Sequence, residues 1–191
     1  MFGIAHVQEG LDHWLVRRAP ILKRLVAILF GLYWAVAGFL KFQPGLPDTL
    51  VGLIQDAGQS QPAWLAPWFD FWASATASNP AFWVYFTGVL ELGVAFSLTF
   101  GFMRKIGYTG GLFLSLFIWA VPEGFGQPYA PGATDLGGGI AFAVFFLALI
   151  VLDANTPRTP WTLDSWLIRR FPAWRRISTI EAEVAPVDPV R

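Results

Sequence analysis

Glu91 is the residue whose type and position in this sequence most clearly suggest chemistry. It lies near the centre of the apolar run AFWVYFTGVLELGVAFSLTFGF, residues 81–102. A carboxyl group at the centre of a membrane helix costs about 2.5–3.5 kcal/mol on insertion scales, so it should face the interior of a bundle. At the same predicted depth lie Tyr33, Trp34 and Ser115, whose O–H and N–H groups can donate to a carboxylate. Together they form a candidate proton-handling or quinone site, and the alternative is a polar latch that fixes helix register.

A second set of polar residues is predicted at the outer ends of the apolar runs. Lys41 ends the first apolar run. The stretch PEGFGQPYAPGATDLGGG, residues 122–139, joins the third and fourth runs and carries Glu123, Tyr129 and Asp135. Lys41 could pair with Glu123 or Asp135 or extend to water, and Asp135 also suits the N-cap of the last helix. These residues are predicted to form an outer-mouth cluster over a cleft for a small amphipathic ligand.

The composition indicates the surroundings in which the protein folds. The chain is 55% hydrophobic and 14% charged, with ten tryptophans and a mean hydropathy of +0.51. A soluble domain carries about 25% charged residues, so this composition favours a lipid bilayer as the surroundings. The formal net charge of zero gives no support for nucleic-acid binding.

The sequence holds few residues that could carry electrons. There is no cysteine, which removes thiolate chemistry and iron–sulfur ligation, and both histidines, His6 and His13, precede the first apolar run. We expect no metal site and no covalently bound cofactor. Any electron path would need a bound quinone or cofactors on a partner protein.

Four apolar runs are long enough to cross a bilayer as helices. None alternates with a period of two, so membrane strands are not expected. The predicted spans are 21–42, 81–102, 105–123 and 135–153. We predict an all-α fold, an integral membrane four-helix bundle with interfacial amphipathic helices. The bundle domain occupies residues 20–153, between an N-terminal tail, 1–19, and a C-terminal amphipathic segment and tail, 154–191.

The long outer loop, 43–79, should contain helices rather than plain coil. Trp64, Trp68 and Trp72 recur every four residues, which would place them on one helical face at the headgroup boundary. The loop is then either a lid without chemistry or the roof of a ligand site. The C-terminal segment mixes aromatic residues with arginine pairs, as expected of a membrane-surface anchor or of a docking surface for a cytoplasmic partner.

Basic residues predict the orientation. Of the thirteen Lys and Arg residues, all except Lys41 fall on one side if the helices alternate. The positive-inside rule then places both termini in the cytoplasm. No cleavable signal peptide is recognised before the first run. The expected location is the inner (cytoplasmic) membrane of a bacterium, with several spans.

Three stretches of the chain resemble the DoxX/DoxD family of small four-helix membrane proteins. They are RLVAILFGLYWAVAGFLKFQPG, GVLELGVAFSLTFGFMRKIG and PEGFGQPYAPGATDLGGGIAFA. The family includes the small subunit of thiosulfate:quinone oxidoreductase, and the long Trp-rich loop fits DoxD better than the shorter DoxX form. The polar residues that match positions typical of the family are Lys41, Glu91, Glu123, Tyr129 and Asp135.

The resemblance implies a quinone-linked membrane subunit that takes part in electron transfer within a membrane redox complex. If the chain is an enzyme, the implied activity is of the thiosulfate:quinone oxidoreductase kind, with redox cofactors on partner subunits. A non-catalytic accessory subunit of a respiratory or photosynthetic complex is the alternative, and either a homo- or a hetero-oligomer is compatible with it. A small transporter is a third possibility, although the chain shows neither an inverted repeat nor a broken mid-membrane helix.

Overall fold

The computed structural model describes residues 2–59, 61–126, 136–155 and 159–180, with the backbone alone for residues 2–12. The described chain is helical and contains no β-strand. Its α-helices are Phe2–Leu40 (α1), Leu46–Gln59 (α2), Ala66–Ala77 (α3), Pro80–Phe100 (α4), Arg104–Ala120 (α5), Gly138–Asn155 (α6), Leu163–Arg170 (α7) and Arg175–Ser178 (α8). Short 3-10 turns at Ala63–Leu65 and Pro172–Trp174 precede α3 and α8.

Three helices within the described ranges are long and apolar enough to cross a membrane. They are the His13–Leu40 part of α1, α4 and α6. The prediction of apolar membrane helices is confirmed for these three. Helix α5 overlaps the predicted span 105–123. It has 17 residues and is about 25 Å long, somewhat less than the thickness of a bilayer core.

The N-terminal residues differ from the prediction. Residues 1–19 were expected to be a tail, but α1 begins at Phe2 and continues through Pro20 to Leu40. Pro20 removes one backbone donor without ending the helix, and no other stop signal separates these residues from the apolar run. The predicted outer loop is helical, as expected, because α2 and α3 fill most of residues 43–79.

Two of the three tryptophans of the outer loop, Trp68 and Trp72, contact the outer ends of α4 and α5. The indole N–H of Trp68 donates to the carbonyl of Ala120 at 2.9 Å. The ring of Trp72 packs edge-on against Trp83 and Phe117, with centroids 5.9 and 5.0 Å apart. Trp64 instead lies in a 3-10 turn and is 76% exposed, so the three tryptophans do not share one helical face.

Glycines let the long helices approach closely. Helix α1 packs along α4, where Gly31 lies against Leu98 and Thr99, and Gly38 lies against Glu91 and Leu92. Helix α5 packs along α6, where the buried Phe146 ring covers Gly111. Such small-residue contacts are the usual means by which membrane helices associate.

The neighbouring glycines Gly110 and Gly111 give a matched test of this packing. A Cβ at Gly111 would overlap the Phe146 ring, whereas a Cβ at Gly110 would meet nothing within 4 Å. We expect Gly111→Ala to destabilise the protein by about 1–3 kcal/mol through overpacking. Gly110→Ala should stabilise it by up to about 1 kcal/mol, because alanine is the better helix former. Thermal unfolding in detergent would compare the two, and equal midpoints would contradict the α5–α6 packing.

Candidate functional site

A cavity of about 120 Å³ lies beneath the outer loop, between α2 and α3 above and α4 and α5 below. Its lining residues are mostly apolar, and the polar exceptions are three threonines and Lys41. Its lining includes Lys41, Leu50, Ile54, Trp83, Thr87 and Ile118. We call it the outer cavity. The loop is therefore the roof of a cavity, which is the geometry that the role of a ligand-site roof requires.

Lys41 reaches the outer cavity from the turn that follows α1, and buried Glu91 holds it there. The Lys41 Nζ lies 3.6 Å from Oε1 of Glu91, whose side chain is 2% exposed while that of Lys41 is 34% exposed. Gly88 makes the approach possible, because a Cβ there would overlap the Lys41 side chain. One end of the pair is thus buried between α1 and α4, and the other faces an apolar cavity.

The expected Lys41–Glu123 pair is wrong. Oε2 of Glu123 instead accepts a hydrogen bond of 2.8 Å from the backbone N–H of Gly139, in the first turn of α6. The unpaired N–H groups and the positive end of the helix dipole make this position attractive to a carboxylate. Tyr129 and Asp135, with the expected Lys41–Asp135 pair and the Asp135 N-cap, lie outside the described residues.

The residues expected around Glu91 have other partners. Ser115 Oγ donates to the carbonyl of Gly111 in its own helix, at 2.7 Å. The Tyr33 side chain is half exposed and packs on Phe142, with ring centroids 5.0 Å apart. Similar depth brought these residues into the prediction, but rotation about each helix axis decides which neighbours they face.

Trp34 comes nearer to the expectation than Tyr33 or Ser115. It is buried, its ring packs against Phe142 and Phe146 of α6, and it lies one turn before Gly38, which contacts Glu91. Within the described chain, neither Nε1 of Trp34 nor Oε2 of Glu91 has a hydrogen-bond partner. A buried donor and a buried acceptor are therefore left without partners in the described chain.

A buried group of charges at the opposite end of the helices was missed by the sequence reasoning. Oδ1 of Asp153 accepts from Lys23 Nζ at 2.8 Å and from Arg104 at 2.7 Å. Arg104 also lies 3.3 Å from Oδ2 of Asp164, and all four side chains are at most 2% exposed. We call Lys23, Arg104, Asp153 and Asp164 the inner ion cluster. From the sequence, Lys23 and Arg104 indicated only the orientation of the helices.

The inner ion cluster joins helices that are distant in sequence. Lys23 comes from α1, Arg104 from α5, Asp153 from α6 and Asp164 from α7. Asp164 further accepts from the backbone N–H groups of Met103 and Arg104, at 2.8 and 3.1 Å. Beside it, Arg24 donates to the carbonyl of Leu98 at 2.7 Å and so caps the end of α4. Most polar atoms of the inner ion cluster have a partner, although Oδ2 of Asp153 has none among the described residues. The ion pairs connect four helices and so stabilise this end of the bundle.

The outer cavity is therefore the better candidate for a ligand. Among the described residues, no three His, Asp or Glu side chains are placed to hold a metal ion. Comparison of the chain with protein-family models, with curated proteins and with solved structures finds no match. The DoxX/DoxD resemblance remains a prediction, and what the chain does is inferred from the geometry of its site.

Proposed function

We propose that α1, α4, α5 and α6 form a four-helix bundle in the inner membrane of a bacterium, with both termini in the cytoplasm. Three of these helices are apolar enough to span, and α5 packs against both α4 and α6. The residues after α5, up to Gly126, form further turns that close the end of this helix. The cations of the inner ion cluster lie at one end and Lys41 at the other, in agreement with the positive-inside rule.

We further infer that the outer cavity binds the ring of a quinone. The observation that carries this proposal is the Lys41 ammonium group at an apolar cavity, held by buried Glu91. A dry apolar cavity of about 150 Å³ admits a benzene-sized ring, so a cavity of about 120 Å³ that is open at one side is of the right order. Mostly apolar walls with one charged anchor suit a ring that ends in a carbonyl oxygen.

The polar pair supplies what such a ligand needs from the protein. Lys41 can donate a hydrogen bond to a quinone carbonyl, and a bond from a charged donor is worth about 1.5–3 kcal/mol. Glu91 keeps the ammonium group at the cavity and lies next to it as a second proton-carrying group. A bound quinone supplies two-electron chemistry, and the electrons would come from a partner in a membrane redox complex. The resemblance to DoxX/DoxD proteins agrees with this role.

The cavity can be tested by filling it. Thr87 lines the cavity on α4, whereas Val89 on the same helix is 57% exposed. We expect Thr87→Phe to weaken binding of a short-chain benzoquinone by about tenfold or more, since an overfilled site costs about 1–3 kcal/mol. Val89→Phe should leave binding unchanged. Binding would be measured by isothermal titration of the purified protein in detergent.

Two results would argue against quinone binding. One is a wild-type protein that shows no saturable binding, and the other is equal affinity in the two phenylalanine variants. If wild-type protein without saturable binding also co-purified with other subunits, the accessory-subunit reading would replace the proposed one. An open apolar groove between α1 and α6, lined by Phe30, Tyr33 and Phe142, would then be the first contact surface to examine.

A further inference from the structure

A second groove lies at the basic end of the bundle, between α8 and the N-terminal half of α5. Its volume is about 400 Å³, and Lys105, Ile106, Gly110, Phe113, Arg176 and Ile177 line it. Among the described residues, no acidic side chain contributes to the lining. We call it the inner groove. It is separate from the outer cavity, which lies at the far end of α5.

The walls of the inner groove are held in place by several contacts. Trp174, just before α8, donates its indole N–H to Oδ1 of Asp164 at 2.9 Å and packs on Phe102 with ring centroids 5.4 Å apart. The Lys105 Nζ donates to the backbone carbonyl of Arg176 at 3.4 Å. Since Asp164 belongs to the inner ion cluster, α8 is tied to the rigid end of the bundle and the groove is preformed.

Charge and polarity divide the groove along its length. Lys105 and Arg176 stand at the end near the start of α5, and Ile106, Gly110 and Phe113 continue along the exposed side of that helix. The rise from Ile106 to Phe113 is about 10 Å, which is enough for the first carbons of an acyl chain. The absent side chain at Gly110 leaves this path open, because a Cβ there would meet nothing within 4 Å.

The C-terminal residues around α7 and α8 have the composition expected at the level of the lipid headgroups. Trp161, Trp166 and Phe171 are 69%, 58% and 56% exposed, and they accompany the exposed arginines of α7 and α8. Exposed aromatic rings beside basic residues are typical of a surface that lies at the boundary between headgroups and acyl chains. Basic pockets between membrane helices at that level bind anionic lipid headgroups.

We propose that the inner groove binds one anionic phospholipid of the leaflet that meets the basic end of the bundle. Lys105 and Arg176 hold its phosphate, and an acyl chain lies along Gly110 and Phe113. A soluble phosphate compound is a poorer fit, because the apolar path from the cations continues into the lipid-facing side of α5. This inference uses the membrane orientation proposed above and is independent of quinone binding.

Native mass spectrometry of the full chain in detergent tests this site. Phosphatidylglycerol and phosphatidylethanolamine with identical acyl chains would be titrated separately. We expect phosphatidylglycerol to bind more tightly, and its affinity to fall about fivefold for each cation removed, or about 25-fold in Lys105→Gln/Arg176→Gln. The matched control is Arg17→Gln/Arg18→Gln, which removes two exposed arginines of α1 outside the groove and should retain the preference.

A third variant separates the groove from charge alone. Gly110→Leu keeps both cations but places a side chain in the acyl path, and it should also lose most of the lipid binding. Its folding would be checked by thermal unfolding, where leucine at an open helical position should do no harm. Equal binding of the two lipids, an equal loss in the Arg17/Arg18 control, unchanged binding by Gly110→Leu, or displacement of the lipid by inorganic phosphate would each overturn the proposal.

Discussion

Replacing Asp153 with asparagine should destabilise the folded protein by about 3–5 kcal/mol, the usual cost of removing one partner of a buried ion pair. Asp153 is 0% exposed and accepts from both Lys23 and Arg104 through the same oxygen. Asparagine keeps the shape but not the charge, so two buried cations would lose a shared counter-charge. Asp164 cannot replace it, because its oxygens already bond Met103 N–H, the Arg104 backbone and Trp174.

The loss would be measured as the shift in the thermal unfolding midpoint in detergent. The control is Asp70→Asn, the same chemical change at an exposed position of α3, for which no shift is expected. A second variant, Lys23→Met/Asp153→Asn, removes one of the two cations as well and should recover part of the loss. A midpoint for Asp153→Asn as high as that of Asp70→Asn would show that the inner ion cluster contributes little to stability.

Replacing Lys41 with methionine should lower quinone affinity by about ten- to a hundredfold, the worth of one hydrogen bond from a charged donor. The methionine side chain keeps the stem of Lys41 in the outer cavity and removes only the ammonium group. Because the change leaves Glu91 buried without its partner, Lys41→Met/Glu91→Leu would be measured alongside it. The double variant should be better folded and equally poor in binding.

Lys41→Arg provides the rescue for this series. It retains a charged donor and should recover most of the affinity, although the broader guanidinium group fits the site less well. Titration with the same short-chain benzoquinone would follow all the variants. If Lys41→Met bound as tightly as the wild type while remaining folded, Lys41 would not be the polar anchor and the proposed quinone site would lose its central support.

The long helices could be predicted because their signal is local. Runs of apolar residues as long as 81–102 have few other stable structures in lipid, and α4 matches that run within two residues at each end. The same reasoning did not show where α1 begins, because residues 1–19 were expected to be a tail and the helix starts at Phe2 and continues through Pro20. Apolar content predicts where a helix meets lipid, and it says less about where the helix ends.

The sites were harder to predict, because they depend on rotation and on distant pairs. Depth along the helices placed Glu91 beside Tyr33 and Ser115, but neither side chain is turned toward it. Lys41 and Glu91 were assigned to two separate predicted sites, yet they form an ion pair across fifty residues, and the missing side chain of Gly88 leaves room for the contact. One signal for the inner ion cluster was present, since Asp153 and Asp164 are acids at the end where the cations gather.

The inner ion cluster also bears on the order in which the protein matures. A membrane chain is made from its N-terminus, so Lys23 and Arg104 are in place before Asp153 and Asp164 have been synthesised. Until α7 docks, the backbone N–H groups of Met103 and Arg104 lack their carboxylate. Docking of α7 is thus the step that completes the inner ion cluster and gives these N–H groups their acceptor.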